Sequence, residues 1–279
     1  MSLRKHLLWL AVLFVPLLAF AQSGAPVPSV VSFTSDGTIL RAYIYKPSGH
    51  GPFPAFIWNT ASSKKMFDPG DEAQFTVLAR NVTSRGYVLF IPDRHSNSQS
   101  RGVVNGGELT EQLRAEEKDP INLNRRAVEF YESHNKDVLA AVEFLKAQSF
   151  VDENQIAMAG TASGAVQTLL AAEKETGIRA FIVFAPGSAS WSENPLLQAM
   201  LRRSVRNAKA PVFVIQAQND FTLEPSQLLG KELEQKGAPN RTKVYPPFGT
   251  SHAQGNAFAL NGCNTWSSDV FDFVREAMN

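Results

Sequence analysis

Three short stretches of the chain carry the residue types of nucleophilic hydrolysis. Gly160-Thr161-Ala162-Ser163-Gly164 follows an apolar run, and its two glycines permit a sharp turn from a strand into a helix. Asp220 follows a second apolar run, and His252 stands in a glycine-containing loop near the C-terminus. A carboxylate orients an imidazole, and the imidazole takes the proton of a nucleophile, in a catalytic triad. The Gly160–Gly164 stretch, which we call the glycine frame, the acid Asp220 and the base His252 occur in the chain order of a hydrolase. The central residue of the frame, however, is Ala162 instead of serine.

Ser163 is the hydroxyl closest to the missing nucleophile, one residue after the centre of the frame. One step along a helix turns a side chain by about 100°, which would direct Ser163 away from the imidazole. We therefore predict Ser163 as a weak substitute for the nucleophile, with a water activated by His252 as the other route. If neither route operates, the same residues predict a small-molecule-binding protein without chemistry.

Strand-like and helix-like stretches alternate along the chain and place these residues at strand ends. Continuous apolar runs predict strands covered on both faces, and the stretches between them predict helices that cross over between parallel strands. We expect strands at 30–33, 39–45, 55–58, 87–91, 155–159, 180–184, 212–217 and 242–245, and helices at 72–84, 137–148, 168–172, 195–208, 227–235 and 267–278. The sequence therefore predicts a doubly wound, three-layer α/β fold, whose ligands bind beyond the carboxyl ends of the strands.

The composition favours one ordered domain. The chain has 279 residues, of which 44% are hydrophobic and 19% charged, and this excludes a disordered polar chain. Its single cysteine, Cys263, cannot form an intramolecular disulfide, so stability must come from an ordinary core. We predict a single domain over residues 22–279, with the excursions 97–133 and 187–208 as candidate lids. The oligomeric state is left open by these observations.

The first 21 residues have the pattern of a secretory signal peptide. Arg4 and Lys5 form a basic start, Leu7–Ala21 is a 15-residue apolar run, and Ala19-Phe20-Ala21 matches a cleavage site. The run is short for a membrane span, and an uncleaved anchor is the alternative. Cleavage after Ala21 would leave 27 − 2 = 25 basic against 26 acidic residues, so no basic field attracts nucleic acid. We expect an exported protein, periplasmic or secreted, with no nucleic-acid partner and no stable membrane span after cleavage.

From about Val30 onward the chain resembles the dienelactone-hydrolase-like branch of the α/β-hydrolase superfamily. The supporting stretches are 54–59, 86–92, 167–174 and 248–252, together with the 160–164 frame. The resemblance implies an α/β-hydrolase fold with a mostly parallel sheet of about eight strands. It also implies hydrolysis of carboxylic esters or lactones without a metal or organic cofactor, and a small ester- or lactone-like ligand.

The resemblance assigns Asp220 and His252 to the acid and the base of the family, and Ala162 to the position of its Ser or Cys nucleophile. We therefore expect weak or absent hydrolysis. A binding protein that keeps the pocket and lacks the chemistry is the alternative. Natural loss of the serine and its deliberate replacement would leave the same sequence.

The loop after the 55–58 strand is a second departure from the family pattern. Relatives often carry Asn-His-Gly-Ser there, whereas this chain has Asn59-Thr60-Ala61-Ser62. Thr60 and Ala61 are candidates for an oxyanion loop, which gives one backbone N–H, and Ser163 is expected to give the other. Alanine at position 61 would be unfavourable if the turn needs a positive φ.

The loops after two other strands supply candidates for substrate binding. Arg94 and His95 follow the 87–91 strand, and Trp191 follows the 180–184 strand after a short turn. Because ligands of this fold lie beyond the strand ends, we expect these three side chains to contact a substrate. Packing or hydrogen bonding within the loops is the alternative for each. The histidines have no partners at metal-site spacing, so we expect no metal.

Overall fold

Eight strands form one sheet in a computed structural model of the chain, which describes residues 26–61, 66–94 and 115–279. In chain order they are β1 Ser29–Ser35, β2 Thr38–Tyr45, β3 Phe53–Asn59, β4 Val88–Pro92, β5 Val151–Thr161, β6 Ala180–Phe184, β7 Val212–Ala217 and β8 Arg241–Tyr245. Their spatial order is β1-β2-β4-β3-β5-β6-β7-β8. Strand β2 runs antiparallel to β1 and β4, and the pairs from β4 through to β8 are parallel. The predicted α/β class with a mostly parallel sheet of eight strands is confirmed.

Eight α-helices accompany these strands in the described parts of the chain. They are α1 Thr76–Thr83, α2 Pro120–Lys146, α3 Ser163–Ala172, α4 Pro195–Asn207, α5 Glu224–Lys236, α6 His252–Asn256, α7 Phe258–Asn261 and α8 Cys263–Met278. Two short 3-10 turns, Asp71–Phe75 and Ser188–Ser190, precede α1 and α4. Within residues 26–61, 66–94 and 115–279, no helix has both the length and the apolar character that a membrane crossing needs.

Two hydrophobic clusters, one on each face of the sheet, hold the layers together. Successive residues of β3 alternate between them: Ile57 belongs to the first cluster, and Phe56 and Trp58 belong to the second. This alternation follows from the two-residue period of a strand. Helices α2, α3 and α4 supply residues to the first cluster, while α1 and α8 supply residues to the second. Coverage on both faces explains the continuously apolar strands and confirms the three layers.

Helix α2 begins at Pro120, well before the predicted start at residue 137. The Asp119 carboxylate accepts a hydrogen bond from the Ile121 N–H at 3.1 Å, and proline occupies the first helical position. Residues 120–133 of the first candidate lid therefore belong to a helix, which packs on the first cluster through Val128 and Tyr131. Residues 97–114 of that candidate lie outside the described residues.

The second candidate lid, 187–208, is also part of the helical layer. It consists of the 3-10 turn Ser188–Ser190 and of α4, four of whose residues are buried in the first cluster. Those residues are Leu197, Met200, Leu201 and Val205. The apolar face of α4 thus contributes to the core on one side of the sheet, and a lid role for the excursion stays a prediction.

Candidate active site

A sharp turn joins β5 to α3 at the position predicted for the nucleophile. Ala162 has φ 50° and ψ −114° and separates the last residue of β5 from Ser163, the first of α3. Its N–H donates to the Phe184 carbonyl at 3.0 Å, and its own carbonyl accepts bonds of 3.1 and 3.2 Å from the first turn of α3. A non-glycine residue in so sparsely populated a conformation is strained by about 1–3 kcal/mol. The surrounding contacts therefore impose the turn.

Backbone crowding explains both glycines of the frame. A Cβ on Gly160 would lie 2.3 Å from the Gly164 carbonyl oxygen, and a Cβ on Gly164 would lie 2.1 Å from the Asn59 carbonyl oxygen. Real Cβ contacts are essentially never under 3.0 Å, so a side chain at either position would push α3 away from β3 and β5. The frame is thus a close contact of three backbone segments that holds residue 162 at the carboxyl ends of the central strands.

The Asp220 carboxylate is buried beyond the end of β7 and is bound by neutral donors. Ser188 Oγ, Asn256 Nδ2 and the Phe221 N–H donate to its Oδ1 at 3.0, 3.0 and 2.8 Å. Gln216 Nε2 donates to Oδ2 at 2.6 Å. A carboxylate has about four acceptor positions, so these donors use nearly all of its capacity.

His252 contacts Asp220 through the main chain. Its Nδ1 lies 3.1 Å from the Asp220 carbonyl oxygen and 3.3 Å from the Asn219 carbonyl oxygen. In the described part of the chain, no hydrogen bond joins the imidazole to the Asp220 carboxylate. The acid and the base are neighbours, as the sequence predicted, but the expected side-chain contact is replaced because four neutral donors occupy the carboxylate.

The main-chain contact nevertheless fixes the tautomer of His252. Carbonyl oxygens only accept, so Nδ1 carries the proton and Nε2 keeps a lone pair. The ring is exposed and stacks on Phe221 with a centroid distance of 6.3 Å. A neutral carbonyl does not stabilise an imidazolium as a carboxylate does. The arrangement therefore offers a positioned imidazole whose ring is oriented by main-chain carbonyls and not by a carboxylate.

The loop after β3 lies against the sharp turn at Ala162, which we call the elbow. Buried side chains bind this loop from the interior of the protein. Thr60 is 1% exposed, and its carbonyl oxygen accepts a bond of 2.7 Å from Arg94 Nη2. Asn59 Nδ2 donates to Thr168 Oγ1 of α3 at 3.0 Å. Ala61 is half-buried and does not have a positive φ, so alanine fits this position without strain. Residues 62–65 lie outside the described residues.

Two of the predicted substrate-binding side chains point into the protein. Arg94 is 1% exposed and Trp191 0% exposed, and the indole packs in the first hydrophobic cluster. Burial lowers the pKa of Arg94 and raises the pKa of the adjacent Asp93 to about 6. Both side chains thus serve packing and loop support instead of facing a substrate. His95, the third candidate, lies outside the described residues.

The partners of Asp220 are functional-site residues that the sequence reasoning missed. Gln216 was detectable, because it is a polar residue inside the otherwise apolar strand β7. Ser188 and Asn256 lie in short turns and helices whose sequences carry no comparable pattern. Ser163 is half-buried at the first position of α3, and its roles as a substitute nucleophile and as an N–H donor stay predictions.

Acidic, histidine and cysteine side chains are the groups that ligate metal ions in proteins. Among the residues that the structure describes, no three or more of them are grouped so that they could hold a metal ion. Cys263, the single cysteine of the chain, is buried within the second cluster, and burial raises the pKa of its thiol to about 12.

Comparisons with known proteins support the same fold. The model of the dienelactone hydrolase family matches residues 40–263. No curated protein matches the chain. Among solved structures, the acylaminoacyl peptidase of Pyrococcus horikoshii has a TM-score of 0.59 at 18% identity, over 87% of this chain and 39% of its own. The chain therefore spans about two fifths of that peptidase.

Two further structures are similar over nearly their whole length. A Klebsiella pneumoniae protein that carries a dienelactone hydrolase name has a TM-score of 0.58 at 17% identity, over 91% of this chain and 99% of its own. A Pyrococcus furiosus esterase has a TM-score of 0.62 at 13% identity, over 91% of this chain and 92% of its own. At such low identities these similarities establish the fold and no more.

Proposed function

The chain belongs to the dienelactone hydrolase family, and on this premise we propose that it is an exported protein that binds carboxylic esters or lactones and does not hydrolyse them through an acyl-enzyme. The observation that carries the proposal is Ala162. A methyl group occupies the centre of an elbow that is otherwise complete and that keeps the strained backbone conformation of residue 162. Since a methyl group cannot attack a carbonyl carbon, the covalent intermediate of serine-type hydrolysis cannot form.

The remaining parts of the site support binding without turnover. Ser163 begins α3, and the next residue, Gly164, packs against the backbone of Asn59 and Thr60, which supports a place for a carbonyl oxygen between the elbow and this loop. In serine proteases, loss of the nucleophile lowers kcat by about 10⁶-fold. The engagement of the Asp220 carboxylate by neutral donors removes a second element of the family's chemistry.

Slow hydrolysis by a water is the second candidate function, and one observation favours it. The Nδ1 of His252 is held by main-chain carbonyls, which leaves Nε2 able to accept a proton. A water oxygen would bond to the ester carbon while Nε2 takes its proton. The bond to the alcohol oxygen would then break, and the alcohol would leave with that proton. General-base catalysis of this kind contributes about 10²–10⁴-fold.

Hydrolysis of 4-nitrophenyl acetate separates the two candidates. We expect the native protein, His252→Ala and the control His50→Ala, which changes an exposed histidine, to give the same rate as buffer. A native rate above that of His252→Ala, with His50→Ala equal to native, would favour the water route instead.

Two further measurements test the absence of an acyl-enzyme and the presence of binding. A fluorophosphonate probe should leave the protein unlabelled, and labelling at Ser163 would contradict the proposal. Titration with γ-butyrolactone should shift the backbone amide signals of Ala61 and Ser163 in NMR spectra. A lactone that shifts neither signal would argue against binding at this site.

Export is the remaining part of the proposal, and it rests on Arg4, Lys5 and the apolar run that ends at Ala21. Expression of the full chain in a bacterial host, followed by fractionation and N-terminal sequencing, tests it. We expect a product outside the cytoplasm that begins at Gln22. A product that keeps Met1 and stays with the cytoplasmic fraction would refute the export proposal.

A further inference from the structure

We propose that Asn219 is the positioning residue of His252 and that it orients the imidazole in place of the Asp220 carboxylate. Its side chain binds the loop that precedes His252, and its carbonyl oxygen contacts the ring. The inference deepens the proposed function and rests on it only for the place of His252 beside a bound ester or lactone.

The Asn219 amide makes three hydrogen bonds to the main chain of the loop between β8 and α6. Its Oδ1 accepts from the Phe248 N–H at 2.8 Å, and its Nδ2 donates to the carbonyl oxygens of Phe248 and Ser251 at 3.1 and 3.0 Å. Because a main-chain N–H only donates and a carbonyl only accepts, the flipped orientation of the amide would lose all three bonds. The side chain thus pairs with Phe248 in both directions and reaches the residue directly before His252.

The short helix α6 needs such attachments to hold its first residue in place. It spans only His252–Asn256, and a helix of this length is not stable in water by itself. The capping box at its start closes its first turn but does not attach it to the sheet. Asn219 binds the residues before the helix, while the Asp220 carboxylate accepts from Asn256 Nδ2 at 3.0 Å. The carboxylate therefore holds the last residue of the helix, and not the imidazole at its first.

Close packing keeps the main chain of Asn219 against the same helix. A Cβ on Gly255 would lie 2.4 Å from the Asn219 carbonyl oxygen and 2.8 Å from its Oδ1. The same carbonyl oxygen lies 3.3 Å from His252 Nδ1, and the Asp220 carbonyl oxygen lies 3.1 Å from it. The side chain of Asn219 therefore sets where the loop lies, and two successive carbonyls set the direction of the ring. A displaced loop would break these ring contacts.

The assignment divides the two tasks that one aspartate performs in a catalytic triad. That aspartate fixes the tautomer and orientation of the histidine, and its charge stabilises the imidazolium. Here four neutral donors occupy the Asp220 carboxylate, so it is engaged elsewhere. Asn219 takes over the first task, but as a neutral residue it does not supply the second.

The ¹⁵N chemical shifts of the His252 ring, measured by NMR at pH 8, test the orientation because they distinguish the two tautomers. We expect the Nδ1–H form in the native chain and a mixture of both forms in Asn219→Ala. The control Asn240→Ala removes an amide that also binds two main-chain groups, the Val212 N–H at 2.9 Å and the Gly237 carbonyl at 2.8 Å, at the opposite end of β7. It should keep the native shifts. Should Asn219→Ala fail to fold, Asn219→Ser is expected to give a smaller change in the same direction. A folded Asn219 variant with the native shifts overturns the proposal.

Kinetics in an Ala162→Ser background test whether this orientation serves the chemistry of the site. Misplacement of a reacting group by about 1 Å costs about 10²-fold, so Asn219→Ala should lower kcat by about this factor and leave KM unchanged. Asn240→Ala should change neither constant. Equal kcat values with asparagine and alanine at position 219 overturn the proposal. An inactive Ala162→Ser protein would count against the proposed function alone, since the tautomer measurement still decides the role of Asn219.

Discussion

Replacement of Ala162 by serine is expected to raise the rate of ester hydrolysis by at least about 10²-fold, but by less than a complete triad would give. The serine would occupy the same elbow, because the turn is imposed by the hydrogen bonds of residue 162 and by the two crowded glycines. In serine proteases the nucleophile accounts for about 10⁶-fold in kcat. Replacement of the triad aspartate by asparagine there lowers kcat by about 10⁴-fold.

The second factor is an upper limit on the loss in this protein, because the protease variant holds its histidine in the wrong tautomer, whereas main-chain carbonyls fix the tautomer of His252. His252 donates to neutral main-chain carbonyls, and the Asp220 carboxylate is bound by four neutral donors at 2.6 to 3.0 Å. The base therefore has its tautomer fixed but lacks the charge that would stabilise an imidazolium. The quotient of the two factors, about 10⁶ over 10⁴, therefore gives about 10²-fold as the lower limit of the expected gain.

The assay is kcat/KM for 4-nitrophenyl acetate, measured for Ala162, Ala162→Ser and the double variant Ala162→Ser with Ser163→Ala. The double variant should behave as Ala162→Ser does, because the neighbouring hydroxyl has no part in attack. A gain near 10⁶-fold would mean that the imidazole reaches the carboxylate in solution. No gain would mean that the elbow does not present residue 162 to His252. Either result would refute the reasoning from the Asp220 contacts.

Three other predictions concern stability and reactivity. Gly164→Ala should lower the free energy of unfolding, measured in urea, by about 3 kcal/mol through overpacking. The control Gly86→Ala changes a glycine with φ 83° and open space around it, so it should cost only about 1 kcal/mol. Equal losses would contradict the crowding argument. Burial raises the pKa of Asp93 from 3.8 to about 6, so the native state holds this proton more tightly. Relative to Asp93→Asn, the chain should lose about 3 kcal/mol of unfolding free energy as the pH rises from about 3 to about 7. Parallel pH curves for the two proteins would refute this. Burial also raises the pKa of Cys263 to about 12. Iodoacetamide at pH 8 should therefore leave its thiol unmodified in the native protein and modify it in urea, as measured by mass spectrometry. Modification of the native protein would contradict this prediction.

The strands and the elbow could be predicted because their causes are local in sequence. A strand covered on both faces must be apolar throughout, as Val88–Pro92 and Val212–Ala217 are, and this is visible in a single run. The glycine frame is visible as a short motif, although the crowding that requires Gly164 comes from Asn59, in a distant segment of the chain. The sheet, its three layers and the place of residue 162 followed from these features.

The side-chain contacts of the site could not be predicted, because they join distant segments. Ser188 and Asn256 reach Asp220 across 32 and 36 residues, and nothing near Asp220 indicates that its carboxylate is already bound. Arg94 illustrates the same difficulty, since an arginine is expected at the surface and is buried here by a contact with Thr60, 34 residues away. The early start of α2 was readable, in contrast, from Asp119 and the proline that follows it.

The aromatic packing between the sheet and α8 gives the protein an optical signature of its own. Trp58 and Trp266 stack with ring planes 8° apart and centroids 6.1 Å apart, and Trp191 is buried on the opposite face. We expect indoles this close to couple their electronic transitions and to give a paired band in circular dichroism, which should vanish when the rings separate. Burial of these three indoles should shift their emission to shorter wavelength, and loss of that shift would report unfolding of the whole fold. Comparison of the two signals during unfolding therefore tells whether the C-terminal helix detaches before the sheet opens.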